Sequence, residues 1–214
     1  MATSLRAGAD GIIVDLTVAP ARARLAASAM VAQCRLLAGP PLVLVRVNAL
    51  GSGLIDDDLS ACMPARPDGI VLPGAVGARD IAHLAAKLAV HEAEYGLDDR
   101  TTTIVAFAAE SAAAVLALPS LPDASPRLAA VVFDPVPLAA DLCTDRESAP
   151  VRQARAMLMI AARAAGVSAI EGPSSLAYDR DGLATACRTA RSDGFAGKLA
   201  REPEEVAIIN AAFG

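Results

Sequence analysis

An α/β fold of the TIM-type (β/α)-barrel kind, incomplete, with about seven strands and the first one missing, is predicted from three features of the 214-residue sequence. These are short apolar runs rich in Val and Ile, Ala-rich segments of helical spacing between them, and a nearly even distance from one run to the next. The runs fall at Gly11–Leu16, Leu42–Val47, Gly69–Leu72, Thr103–Phe107, Ala129–Phe133, Val167–Ile170 and Phe195–Leu199. Each is continuous rather than alternating, as expected of parallel strands covered on both faces. Between them, Ile81, Leu84, Ala85 and Leu88, and later Val151, Ala154, Leu158 and Ala162, recur every three or four residues along one helix face.

Strand starts near 12, 42, 69, 103, 129, 167 and 195 are separated by 30, 27, 34, 26, 38 and 28 residues, each close to one βα unit. Seven strands are counted where a closed barrel has eight. Ser4–Ala9 reads as the tail of a helix that would follow an opening strand. No long linker or low-complexity tract divides the chain, so residues 1–214 are expected to form one domain; Leu118–Pro126 and Asp145–Pro150 read as loops.

Composition narrows the function. Hydrophobic residues make up 54% of the chain and aromatics 3%, so the core is expected to be built from Ala, Val, Leu and Ile, with some apolar surface left for a subunit interface. A net charge of −5 with two Tyr, four Phe and no Trp offers neither a basic surface nor stacking platforms for nucleic acid. Apolar runs are interrupted by Arg, Asp, Gly or Pro before reaching a membrane-spanning length. Cys34, Cys62, Cys143 and Cys187 are widely spaced without a Cys-x-x-Cys pair, consistent with a reduced, cytoplasmic protein.

In a βα repeat, ligands meet the carboxyl ends of the strands. Reading those positions gives Asp15, Arg46 with Asn48, Pro73, Glu110, Asp134, Glu171 and Lys198. An apolar strand ending in Asp is equally often a loop entry or helix cap. Arg46 is the sharpest signal, because a guanidinium inside Val43-Leu44-Val45-Arg46-Val47 demands an anion: a structural carboxylate, or a substrate carboxylate gripped by its two-pronged donor. Glu110, after Ala106-Phe107-Ala108-Ala109, fits a hard divalent cation or an ion pair with Arg46. His83 and His91 share a predicted helix over Arg79–Tyr95 and read as ordinary helix residues. Gly8-Ala9-Asp10-Gly11 and Pro73-Gly74 are turns without the repeated glycines of a phosphate loop.

Five segments, Ala9–Leu16, Val45–Asn48, Gly69–Pro73, Glu110-Ser111 and Gly194–Lys198, stand in the order and spacing of the citrate lyase beta-subunit family, within the HpcH/HpaI aldolase superfamily, and the chain resembles that family along essentially its whole length. The resemblance implies a TIM barrel that uses magnesium to cleave or form a carbon–carbon bond in acyl-CoA thioesters such as citryl-CoA or malyl-CoA, or to hydrolyse such a thioester. By resemblance, the catalytic residues are Arg46 and Asp15, the substrate-binding residues are Arg46, Asn48 and Lys198, and Glu110 with Asp134 would hold the magnesium. The resemblance also implies a homo-oligomer, a trimer or dimer.

Several positions depart from the family pattern. Pro137 stands at the expected second metal ligand, which proline cannot be, leaving Asp134 three residues earlier as the substitute. The acidic pair after the Gly11–Leu16 strand keeps Asp15 and loses its partner, and the Lys after Leu72-Pro73 is Gly74. Two functions follow: a divergent magnesium-dependent lyase or thioesterase acting on CoA esters of small carboxylic acids, or a non-catalytic relative serving as a ligand-binding or assembly subunit beside a paralogue.

Overall fold

In the computed structural model, residues 8–17, 21–36, 42–173 and 179–214 are described. Seven parallel strands, β1 (Gly11–Asp15), β2 (Leu42–Arg46), β3 (Gly69–Leu72), β4 (Thr103–Phe107), β5 (Leu128–Phe133), β6 (Ser168–Glu171) and β7 (Gly197–Lys198), lie side by side in chain order. Eight α-helices among the described residues cover the outside: α1 (Ala21–Arg35), α2 (Ile55–Cys62), α3 (Gly77–Glu94), α4 (Ala112–Ala117), α5 (Pro135–Asp141), α6 (Ala149–Ala165), α7 (Arg180–Ser192) and α8 (Pro203–Phe213). The result is a curled, incomplete barrel, since β1 pairs with β2 and β7 with β6 and no described strand joins β7 to β1. Across that open side, the Asn210 amide of α8 donates to the Gly8 carbonyl at 2.9 Å.

The even spacing of apolar runs thus corresponds to βα units, with three adjustments. The longest step holds two helices: Asp134 caps α5 by accepting from the Val136 N–H at 2.9 Å, and α6 follows after a turn. Pro135 and Pro137 are tolerated because they sit in the first turn of α5, where the backbone N–H groups have no partner inside the helix. The segment expected as a loop at Leu118–Pro126 is instead mostly a 3-10 helix, Leu118–Asp123, held by buried Leu118 and Leu121. The last strand is only two residues long, because Gly194 (φ +99°) turns the chain and Phe195 is buried under the Arg155 guanidinium, 4.5 Å from its ring centroid. The helix tail expected at Ser4–Ala9 lies largely outside the described residues.

Strand side chains alternate between two environments. Val43, Val45 and Val47, with Ile70, Leu72, Ile104, Ala106, Val131 and Phe133, face the helices and join the main core. Leu44, Val71, Val105, Phe107, Val132 and Ile170 point the other way and fill the concave side as a second cluster. Small Ala residues on the helices let them lie close on the sheet, and buried Ala154, Ala161 and Ala162 of α6 show the pattern.

At the amino ends of the strands a buried ion pair joins three elements. Arg127, 5% exposed, donates both terminal nitrogens to Glu92 of α3 at 2.7 and 2.6 Å, and Glu92 also accepts from the backbone of Arg100 and Thr102. Burial alone pushes the Glu92 carboxyl up, but the hydrogen bonds from Arg127, Thr102 and Arg100 bring it below the ordinary glutamate value. Removing one partner would strand a charge in the core. Arg127→Met is therefore expected to cost about 3–5 kcal/mol of stability, measurable by equilibrium urea unfolding; a loss below about 1 kcal/mol would show that the pair is dispensable.

Candidate active site

The alternation of the strands sorts the polar residues at their carboxyl ends. Asp15 follows inward Ile13, Arg46 follows inward Leu44, and Asp134 follows inward Val132, so these three continue the concave row. Glu171 follows outward Ala169 and lies on the helix side, where Arg155 of α6 binds it at 2.8 and 2.5 Å. Lys198, next to inward Leu199, donates to the Gly172 carbonyl at 2.6 Å. Burial lowers the Lys198 pKa from its ordinary value, with the Glu171 charge opposing that shift. Gly172 has to be glycine, since a Cβ there would come within 2.4 Å of the Phe133 carbonyl oxygen.

Arg46 is the centre of the concave group. Its register partner in β1 is Asp15, and the two side chains come no closer than 3.8 Å between Nη1 and Oδ2, longer than a hydrogen bond. Asp15 instead turns its other oxygen to Thr17, accepting from the backbone N–H at 2.8 Å and the hydroxyl at 2.7 Å. The Arg46 guanidinium stacks over the Phe107 ring, 4.8 Å from its centroid, and its Nε is buried without a hydrogen-bond partner. A buried guanidinium nitrogen without an acceptor is costly in a finished core and useful in a site that awaits an anion.

Glu110 comes from the loop after β4 rather than from a strand. Its Oε2 accepts from the Gly74 N–H at 2.5 Å, a contact made possible by the left-handed turn at Gly74 (φ +64°). Burial raises the Glu110 carboxyl above its usual range; the Gly74 N–H and the Arg46 charge pull it down, and Asp134 pushes it up again. Arg46, Glu110 and Asp134 therefore share one electrostatic neighbourhood. Sequence spacing alone does not locate Glu110, because the Ala108-Ala109 step outside the strand breaks the alternation.

Asn48 turns the other way. Its side-chain nitrogen and its backbone N–H both donate to Oδ2 of Asp58 at 2.7 Å, and the other Asp58 oxygen accepts from Arg24 Nε at 2.5 Å. Asp58, fully buried in the first turn of α2, carried no signal in the sequence beyond its place in the run Asp56-Asp57-Asp58.

The donor set suits magnesium in part. Among the described residues no three or more His, Cys, Asp or Glu side chains converge as metal ligands. Glu110 and Asp134 each keep one carboxylate oxygen free of the hydrogen bonds above, and magnesium commonly takes one or two protein carboxylates with the rest of its shell from water and substrate. A concavity of about 400 Å³ lies at the opposite end of the strands, lined by Arg35, Arg66, Asp68 and Thr101, away from this group.

A curled parallel sheet that gathers an arginine and carboxylates at the carboxyl ends of its strands has the architecture of a (β/α)-barrel ligand site. The model of the HpcH/HpaI aldolase/citrate lyase family matches residues 1–203, and the chain belongs to that family. It is 27% identical over 177 residues to the citrate lyase subunit beta of Leuconostoc mesenteroides subsp. cremoris, covering 82% of this chain and 58% of that one. It is 29% identical over 180 residues to a (3S)-malyl-CoA thioesterase of Cereibacter sphaeroides, covering 79% and 56%. The chain thus spans little more than half the length of these curated relatives. In fold it is similar to a citrate lyase beta subunit complexed with oxaloacetate and magnesium from M. tuberculosis, with a TM-score of 0.71, 23% identity and coverage of 96% and 87%.

The raised Glu110 pKa has a consequence for stability. Unfolded, Glu110 loses its proton at the ordinary glutamate value; folded, it keeps it to higher pH. Its contribution to stability is therefore full in acid and is lost as pH rises through the folded value. Glu110→Gln, neutral throughout, should gain on the unsubstituted protein as pH goes from about 4 to about 7. Urea unfolding in metal-free buffer across that range checks this, and an offset independent of pH would refute it.

Proposed function

We propose that this chain is a magnesium-dependent carbon–carbon lyase or thioesterase acting on acyl-CoA esters of small carboxylic acids, with reduced activity. The observation that carries the reading is the Arg46 guanidinium, stacked on Phe107 with a buried, unpartnered Nε and set beside Glu110 and Asp134. A carboxylate or carbonyl oxygen of the substrate supplies the missing acceptor, and a guanidinium grips it in two-pronged geometry. As negative charge builds on the substrate oxygen during bond cleavage, Arg46 stabilises it without rearrangement, because stacking already holds the guanidinium in place. Asp15, whose second oxygen lies 3.8 Å from Arg46, too far to hydrogen-bond it, stands at the mouth as a candidate proton carrier.

Glu110 and Asp134 would hold the magnesium through their free oxygens; when bound, the ion supplies Lewis-acid polarisation of the substrate carbonyl. Lys198 contributes modestly to ligand affinity from the rim, because its ammonium is engaged by the Gly172 carbonyl, and Asn48, turned to Asp58, contributes through the end of β2 rather than by contact. The names of the relatives support both branches of the activity, a lyase and a CoA-thioester hydrolase. The chemistry is tested by incubating the purified chain and magnesium with malyl-CoA, where acetyl-CoA marks the lyase and free CoA thiol the thioesterase. In parallel, calorimetry with magnesium and oxaloacetate should show binding that Arg46→Ala weakens by about tenfold or more. Binding without turnover would favour the second reading, a non-catalytic ligand-binding or assembly subunit, to which Pro137 and Gly74 at the mouth lend weight. No heat and no turnover would remove both.

The surroundings of the protein belong to the same proposal. Among the described residues no helix is long and apolar enough to cross a membrane. The four cysteines are free, three of them buried, which suits a reducing, cytoplasmic setting. The outer edges of β1 and β7 have no described strand partner, and Leu25, Leu36 and Ile160 are 70–86% exposed. Open edges and apolar surface favour association, as a dimer or trimer of this chain or with a paralogue. Light scattering after gel filtration at low micromolar concentration should return a multiple of 21.7 kDa. A stable monomer would end the oligomer reading.

A further inference from the structure

The arginine at the centre of the site is held by little of its own. Among the described residues no carboxylate hydrogen-bonds it, Nε has no acceptor, and the Phe107 ring supports the guanidinium. Its direction is therefore set by its backbone at the end of β2. There the Arg46 carbonyl accepts from Leu16 at 2.8 Å and the Val47 N–H donates to Val71 at 3.2 Å. The next N–H, that of Asn48, lies beyond the last paired residue and is received by Asp58.

We infer that Asp58, buried in the helix layer, is the positioning residue of this site: it pins the end of β2 through Asn48 and so holds Arg46 in the concave row. The inference rests on the reading of Arg46 as the ligand-binding residue. One Asp58 oxygen accepts twice from Asn48, and the other faces Arg24, which ties α1 and α2 to the same point. Asp58, on α2, thus joins by hydrogen bonds the residue that follows the strand bearing Arg46 to α1. A general stabilising role would need the ion pair with Arg24 alone. The double contact to Asn48 serves the strand end.

An asparagine at this position keeps the size of the side chain, but its Nδ2, a donor that cannot accept, must then face another donor, either Arg24 or Asn48. The test uses the full chain, free of metal and ligand, with nitrogen-15 in its arginines. The buried Nε–H of Arg46 is shielded from water, so its resonance is observable and is identified by its loss in Arg46→Lys. Asp58→Asn should move or broaden that signal while the Arg127 signal stays in place. Leu59→Ala, which removes a buried core side chain one position along the same helix, should lower the melting temperature and leave the Arg46 signal unmoved. Asn48→Ala, which removes only the side-chain bond, should shift it in the same direction by less, and serves if Asp58→Asn does not fold.

Oxaloacetate binding in the presence of magnesium, measured on the same proteins, should fall by roughly tenfold or more in Asp58→Asn and be unchanged in Leu59→Ala. An Arg46 signal that ignores both Asp58→Asn and Asn48→Ala overturns the inference whatever the binding data show. A signal that moves in a chain without affinity for oxaloacetate leaves the positioning role standing and removes the ligand assigned to Arg46.

Discussion

The two-residue alternation of seven parallel strands organises this molecule. A side chain on the convex face meets helices and is buried among Val, Ile, Leu and Ala; its neighbour points to the concave face and its small cluster around Val71, Phe107 and Val132. At the carboxyl ends the same alternation continues into polar residues, and there it decides chemistry rather than packing. Asp15, Arg46 and Asp134 fall on the concave side. Glu171 is carried to the helix side with Lys198 beside it.

Charges on the two sides are treated differently. On the helix side Arg127 meets Glu92 with both terminal nitrogens, Arg155 meets Glu171 and Asp193, and Arg24 meets Asp58. Each pair offsets the cost of burying its members through close, directed hydrogen bonds. On the concave side the matching bond is missing: Arg46 and Asp15 stay 3.8 Å apart, and Glu110 is held by a backbone N–H rather than by the arginine. Holding a cation beside carboxylates without joining them is a common mark of a site shaped for a ligand.

Family membership and the departures from its pattern are compatible for the same reason. Strand order and the position of Arg46 follow from packing, which many sequences satisfy. A set of carboxylate oxygens depends on individual residues: Pro137 fits the first turn of α5 yet contributes no donor, while Asp134 both caps that helix and acts on Glu110 through its charge. A fold can therefore persist while its chemistry is cut back.

Much of the fold was legible because apolar runs and helical stripes are local patterns: all seven strands and the helices between most of them follow from spacing, and Arg46 stood out as a charge inside a buried strand. Strand ends were harder. Phe195 reads as strand by its apolar character, but its ring is drawn beneath Arg155, a contact between residues forty apart in the chain. The facing of Asp15 against Glu171, the tether between Gly74 and Glu110 and the clasp of Asp58 on Asn48 belong to tertiary structure alone. Sequence determined which residues alternate and which are hydrophobic, since burial free energy acts residue by residue. Only the folded chain decided which polar groups meet, because hydrogen bonds and ion pairs depend on distance and direction across elements that no local pattern records.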